Sequence, residues 1–254
     1  RKIVYDHSQE ASLDQIPTLA EALGGKSTTL ACLVDRINRT RSGHIITIED
    51  PIEFLHPHRM SLVSQREVPN DASTFARALR ASLRQAPDVI MLGEMRDQET
   101  ISTAITAAET GHLLLSSLHT LGAAKTIDRI VDAFPAEQQN QIRAQLSMVL
   151  KGVVSQRLIL TKDGELTPVF EVMTVNSAIQ NLIREGKTHQ IDNAIFSGGP
   201  GMMSMDTELM RLVKEGQITQ ETATLYAVHP ETMERGSRMA PTNGPLGLGL
   251  NKRF

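Results

Sequence analysis

Tryptophan is absent from this chain of 254 residues and aromatic residues make up only 3% of it, so platforms for stacking nucleic-acid bases are poorly supplied. Positive charge is not in excess either. Lys and Arg number 26 against 29 Asp and Glu, a net charge of -3, which gives no global basic field for holding a phosphate backbone. A single cysteine, Cys32, excludes an intramolecular disulfide framework and any cysteine-based zinc cluster. No apolar run reaches the roughly 18 residues of a membrane span, and residues 1–10 hold no signal-peptide core, so the expected location is the cytosol. What is present, 40% hydrophobic and 22% charged residues, suits a globular chain with a sizeable core and excludes a disordered or fibrous one.

The apolar residues alternate between helical and extended spacing. Leu30, Leu33, Val34 and Ile37 share one helical face and are followed by a β-type run at 44–48. Phe75, Leu79 and Leu83 line a second helix that stops before Pro87, and 89–92 is an uninterrupted apolar run ending at Gly93. Ile101, Ala104, Ile105 and Ala108 form a third stripe closed by Gly111, with 113–118 as the next buried strand. Helices alternating with short apolar strands predict a parallel sheet covered on both faces, the α/β class. Beyond His119 the pattern changes. Ile127, Ile130, Val131 and Phe134 make a helix ended by Pro135, and Ile142, Leu146, Val149 and Leu150 make another. Residues 153–161 and 167–174 flank Lys162-Asp163-Gly164-Glu165 as a β-hairpin. From 176 to about 228 the spacing is helical again, broken at Gly198-Gly199-Pro200-Gly201, and 236–254 reads as a tail.

Four short motifs carry chemistry. Gly25-Lys26-Ser27-Thr28 opens the first helix with the parts of a phosphate-binding loop: glycine for close backbone approach, a lysine charge, and a hydroxyl able to ligate Mg²⁺. The full pattern asks for glycine at position 20, which is Ala20, and no apolar strand precedes the loop. Thr47-Ile48-Glu49-Asp50-Pro51-Ile52-Glu53 sets carboxylates at a strand end, either a solvated acidic turn or groups that hold a metal or orient a water. Val89-Ile90-Met91-Leu92-Gly93-Glu94 is a buried strand ended by an acid, the plan of the Mg²⁺-side strand of phosphate-loop ATPases. His112 and His119 sit at opposite ends of the next strand, so only one of them can serve a site at its carboxyl end, and His119 is that one. The alternating His56-Pro57-His58 reads as a solvated loop rather than a metal pair.

In that order, phosphate loop, acidic box, acid-ended strand and histidine box (Thr106 through Thr120), the chain resembles the secretion ATPases of the type II and type IV pilus superfamily, over residues 25 to 228. Within it, Ala178-Ile179-Gln180-Asn181-Leu182-Ile183-Arg184-Glu185 resembles the carboxy-terminal signature of the twitching-motility retraction ATPases, with Gln180 where the signature has Arg. The resemblance implies a RecA-like phosphate-loop core with a mainly parallel sheet at 25–175 and a helical carboxy-terminal subdomain at 176–235. Residues 1–24 are then the remnant of an amino-terminal region and linker, and 236–254 the tail. It implies a homohexameric ring motor that hydrolyses ATP with Mg²⁺ at the cytoplasmic face of the inner membrane. The motor would work on pilus platform proteins, associate with the membrane only through partners, and bind no nucleic acid. Assembly and type II secretion ATPases, or a ring subunit that does not hydrolyse ATP, are the alternatives. By carry-over, Gly25, Lys26, Ser27 and Thr28 bind phosphates, Ser27 and Glu94 hold Mg²⁺, Glu53 orients or deprotonates the attacking water, and His119 senses the γ-phosphate. Arginine fingers from a neighbouring copy are implied as well, with Arg39, Arg41, Arg66, Arg80 and Arg84 among the choices. A glycine-rich insertion immediately before Gly25, and an apolar strand upstream of it, are expected in the intact protein.

Overall fold

A computed structural model describes residues 25–231 and 233; the expectations for residues 1–24 and for the tail 236–254 lie outside the described residues. The chain opens with α1 (Lys26–Thr40), β1 (His44–Glu49) and β2 (Leu62–Glu67), then α2 (Phe75–Ser82), β3 (Val89–Leu92), α3 (Gln98–Glu109) and β4 (Leu113–Ser116). Next come α4 (Ala123–Asp132), α5 (Ala136–Val149) and the hairpin β5 (Gly152–Leu160) and β6 (Leu166–Thr174). The α-helices α6 (Ser177–Arg184), α7 (Ile191–Phe196), α8 (Met205–Lys214) and α9 (Gln220–Tyr226) follow. Several starts follow from local capping chemistry. Asp97 accepts the Thr100 N–H ahead of α3, and Asn176 accepts the Ile179 N–H ahead of α6.

The four strands β2-β1-β3-β4 form a wholly parallel sheet, and the period of two divides their side chains between its faces. Ile46, Ile48, Ile90 and Leu92 pack with Ala78 and Leu79 of α2 and Ala104 of α3. Ile45, Val63, Val89 and Met91 pack with Leu30 and Val34 of α1 on the other side. This two-sided burial is why β3 is apolar at every position. β4 departs from expectation. It is shorter than 113–118 and only half-buried, because it stands at the edge of the sheet among the described residues. Ser117 and Leu118 leave the strand to carry His119 outward.

A third apolar cluster joins α3, α4 and α5 to Met173 and to Ile179, Ile183, Ile191 and Ile195 of α6 and α7. A fourth packs α8 and α9, through Leu209, Leu212 and Ala223, onto Ile159 and Val169 of the hairpin. Among the described residues no helix is long and apolar enough to cross a membrane.

Candidate active site

The parallel register puts the carboxyl ends of β1, β3 and β4 along one edge, with Ile48 beside Leu92 and Leu92 beside Ser116. Just past that edge the outgoing segments hold one another. Gly93 N–H donates to Ile48 C=O at 2.8 Å, Ser117 Oγ donates to Gly93 C=O at 2.6 Å, and Met95 N–H donates to Ser117 C=O at 3.2 Å. Glu53, Glu94 and His119 therefore leave the sheet side by side despite their distance in sequence.

The start of α1 faces this edge. Gly25 has φ 102° and ψ 157°, a conformation that a side chain strains, and it supplies no capping side chain. The first bond of the helix runs from Thr29 N–H to Gly25 C=O at 3.1 Å, so the N–H groups of Lys26 and Ser27 lie ahead of the helical ladder, at the positive end of its dipole. Lys26 and Ser27 are exposed and Thr28 is buried. A further bond ties the helix to the hairpin: Thr29 Oγ1 donates to Gln156 Oε1 at 3.0 Å.

Two chains of contact cross from α1 to the sheet edge. Ser27 Oγ donates to Glu53 Oε1 at 2.9 Å. Lys26 Nζ donates to Leu118 C=O and lies 3.2 Å from both that oxygen and His119 Nδ1. Lysine is only a donor, so this contact makes Nδ1 the acceptor and leaves the proton on Nε2. His119 Nε2 lies 3.5 Å from Glu94 Oε2, and Arg96 Nε is 2.6 Å from Glu94 Oε1. Glu94 is the sheltered member of this series, its side chain 12% exposed against 73% for His119.

The residues expected from the sequence, Gly25, Lys26, Ser27, Thr28, Glu53, Glu94 and His119, thus gather at one end of the sheet. Glu49 joins them differently: it is the last residue of β1, buried, and accepts Thr47 Oγ1–H at 2.6 Å. His112 stays at the other end of β4, its Nδ1 2.9 Å from Ala107 C=O. The His56-Pro57-His58 loop is not simply solvated as expected. His56 is half-buried with Nε2 shielded from solvent, burial pulls its pKa down, and His58 Nδ1 accepts the Val63 N–H at 3.0 Å. The His56 backbone and the His58 ring are both bonded to β2, because this loop lies along that strand. Of the arginines weighed as fingers, Arg39 and Arg80 sit in ion pairs with Asp35 and Glu99, and Arg66 donates to Gln85. Motif reading missed Gln65 and Glu67, which stand in the unbroken polar run 64–67 of β2 and carry no local signal of their own.

Unfilled N–H groups, a lysine and a hydroxyl at a helix start suit phosphate oxygens, while the hydroxyl and carboxylate oxygens opposite suit a hard cation. A model of the type II/IV secretion system protein family matches residues 23–244. The twitching motility protein of Neisseria gonorrhoeae is 50% identical over 211 residues, covering 82% of this chain and 56% of that protein. The type IV pilus retraction ATPase PilT of Pseudomonas aeruginosa is 52% identical over 208 residues, covering 82% and 60%. The chain thus spans 56% to 60% of the length of these two relatives. A crystal structure of the pilus retraction motor PilT with bound ADP matches with a TM-score of 0.78 at 43% identity, over 90% of this chain and 70% of that one. The fold is accordingly a RecA-like α/β core with a parallel sheet, followed by further helices. A family model matched over most of its length and relatives half identical to it lead to one conclusion: the chain belongs to the type II/IV secretion system protein family.

Proposed function

We propose that this chain is the motor core of a homohexameric ATPase that powers type IV pilus retraction, acting on inner-membrane platform proteins from the cytoplasmic side. The observation that carries the reading is the meeting of Ser27 with Glu53 at 2.9 Å, beside the Lys26, His119 and Glu94 series. The names of the relatives support the choice of retraction over assembly or secretion.

In this reading the reaction is ATP plus water to ADP and phosphate, and the protein's part is positioning and charge. Lys26 Nζ exchanges Leu118 C=O for phosphate oxygens, and the first N–H groups of α1 donate to the same anion. Gly25 leaves room for the phosphates to approach the backbone. Ser27 Oγ turns from Glu53 to the nucleotide side, which frees the Glu53 carboxylate to orient a water and accept its proton. His119 contacts the γ-phosphate through a ring already oriented by Glu94. Among the described residues no cluster of three or more His, Cys, Asp or Glu is placed to hold a metal, so Ser27 Oγ and Glu94 would hold Mg²⁺ together with phosphate and water oxygens, as suits that ion. When bound, Mg²⁺ neutralises charge on the phosphoryl oxygens.

The test is ATP hydrolysis by the full-length protein with and without Mg²⁺. Lys26→Ala should weaken nucleotide binding. Glu53→Gln should keep binding and stop turnover, and Glu94→Gln should lower turnover and its response to Mg²⁺. Wild-type turnover in Glu53→Gln would remove Glu53 from the role of base and pass it to Glu94.

A further inference from the structure

Parallel neighbours need a long connection, usually a helix, yet residues 50–61 join β1 to β2 with no helix of their own. Glu53 rides on this loop, and something other than secondary structure must keep it in place. Gln65 and Glu67 lie two apart on β2, so their side chains leave the strand on the same side. Gln65 Oε1 accepts the His56 N–H at 2.8 Å, and Gln65 Nε2 donates to Phe54 C=O at 2.9 Å. Glu67 Oε2 accepts the Ile52 N–H at 3.0 Å. Backbone groups of residues 52, 54 and 56 are therefore bonded in turn by two side chains, a ladder in which side chains stand where a neighbouring strand would. Glu53 is the residue between the first two rungs.

The clamp is itself braced. Gln65 Nε2 also donates to buried Glu49 Oε1 at 3.2 Å, and Asn70 Nδ2 donates to Glu67 Oε1. This set of partners permits one amide orientation only, because flipping Gln65 would turn its oxygen toward a carboxylate and a carbonyl and its NH₂ toward an N–H.

We propose that Gln65 and Glu67 are positioning residues for Glu53: by fixing the backbone on both sides of it, they hold its carboxylate within reach of Ser27 and of the attacking water. This rests on the reading of Glu53 as the group that handles the water. A displacement of about 1 Å at such a group costs about 100-fold in rate, so the clamp acts on turnover and leaves the phosphate-binding groups of α1 alone.

The experiment measures kcat, nucleotide affinity and urea midpoint in the full-length protein. Gln65→Ala and Glu67→Ala should lower kcat about 10- to 100-fold with nucleotide affinity within about twofold. Glu67→Gln keeps an acceptor for the Ile52 N–H and should restore most of the rate. In a Glu53→Gln background, Gln65→Ala should cause no further loss in the residual rate, since the clamp works through Glu53 alone. Full kcat in the Gln65→Ala and Glu67→Ala variants while Glu53→Gln is inactive overturns the clamp. An added loss in the Glu53→Gln background overturns it as well. Wild-type turnover in Glu53→Gln overturns instead the reading of Glu53 on which it rests. Should Gln65→Ala not fold, the contrast between Glu67→Ala and Glu67→Gln decides.

Discussion

Helix α4 begins four residues after His119, and its cap comes from another part of the chain. Gly122 precedes it with φ 90° and no side chain to offer, and the Ala123 N–H donates instead to Glu171 Oε1 of β6 at 2.8 Å. Glu171 is 3% exposed. Burial pushes its carboxyl pKa up, the nearby Asp192 and Asp206 push the same way, and the Ala123 N–H and Arg157 only partly oppose them. Glu171→Ala leaves a buried N–H without an acceptor, at about 1–3 kcal/mol, and removes packed atoms besides, so the loss of stability should be about 2–4 kcal/mol. Glu171→Gln keeps an oxygen in the same place and should cost about 1 kcal/mol or less. The pH dependence has a definite sign. Because the folded carboxyl titrates above its unfolded value, the stability it contributes is complete below the ordinary carboxyl range and is lost as pH rises through the raised folded value. Wild type should therefore lose stability relative to Glu171→Gln as pH rises from about 4 to about 8. Urea denaturation across that range is the assay. A Glu171→Ala loss below about 0.5 kcal/mol, or a wild type that gains on Glu171→Gln as pH rises, would refute the argument.

Asn38 is fully buried on α1, where its Nδ2 donates to Pro57 C=O at 2.7 Å and its Oδ1 accepts the N–H groups of Arg59 and Ser61. Asn38→Ala strips three bonds from the far end of the Glu53 loop and should cost about 2–4 kcal/mol by urea denaturation, with Asn38→Asp intermediate. In the signature helix α6, Ile183 is fully buried and Ile183→Ala should cost about 2–5 kcal/mol, whereas a urea midpoint close to wild type would mean that the site collapses around the change. Arg184 and Glu185 lie exposed on its other side, so the double change Arg184→Ala, Glu185→Ala should leave the urea midpoint and ATP turnover unchanged while abolishing pilus retraction in cells. Retraction that persists would leave the segment with a packing role only.

Local periodicity by itself determined most of the elements. The apolar run 89–92 is β3 residue for residue, and the i, i+3, i+4 spacing of Ile179, Leu182 and Ile183 marks the packed face of α6, with Ile179 and Ile183 fully buried and Leu182 partly buried, because burial on a helix or strand follows directly from where successive side chains point. The order of the motifs along the chain was enough to single out candidate residues that the fold gathers at one end of the sheet. Other features depend on pairing between distant segments, which no local pattern encodes. The strand order β2-β1-β3-β4 is what brings Glu53, Glu94 and His119 to one edge, and only that order left β4 half-buried at the side of the sheet. His56 became half-buried because β2 lies beside its loop, and Gln65, Glu67 and Glu171 acquired their partners from backbone groups that approach them only once the chain has closed. A polar side chain on a strand carries no mark of which N–H or C=O will face it; that is decided by register and packing, which are properties of the whole sheet.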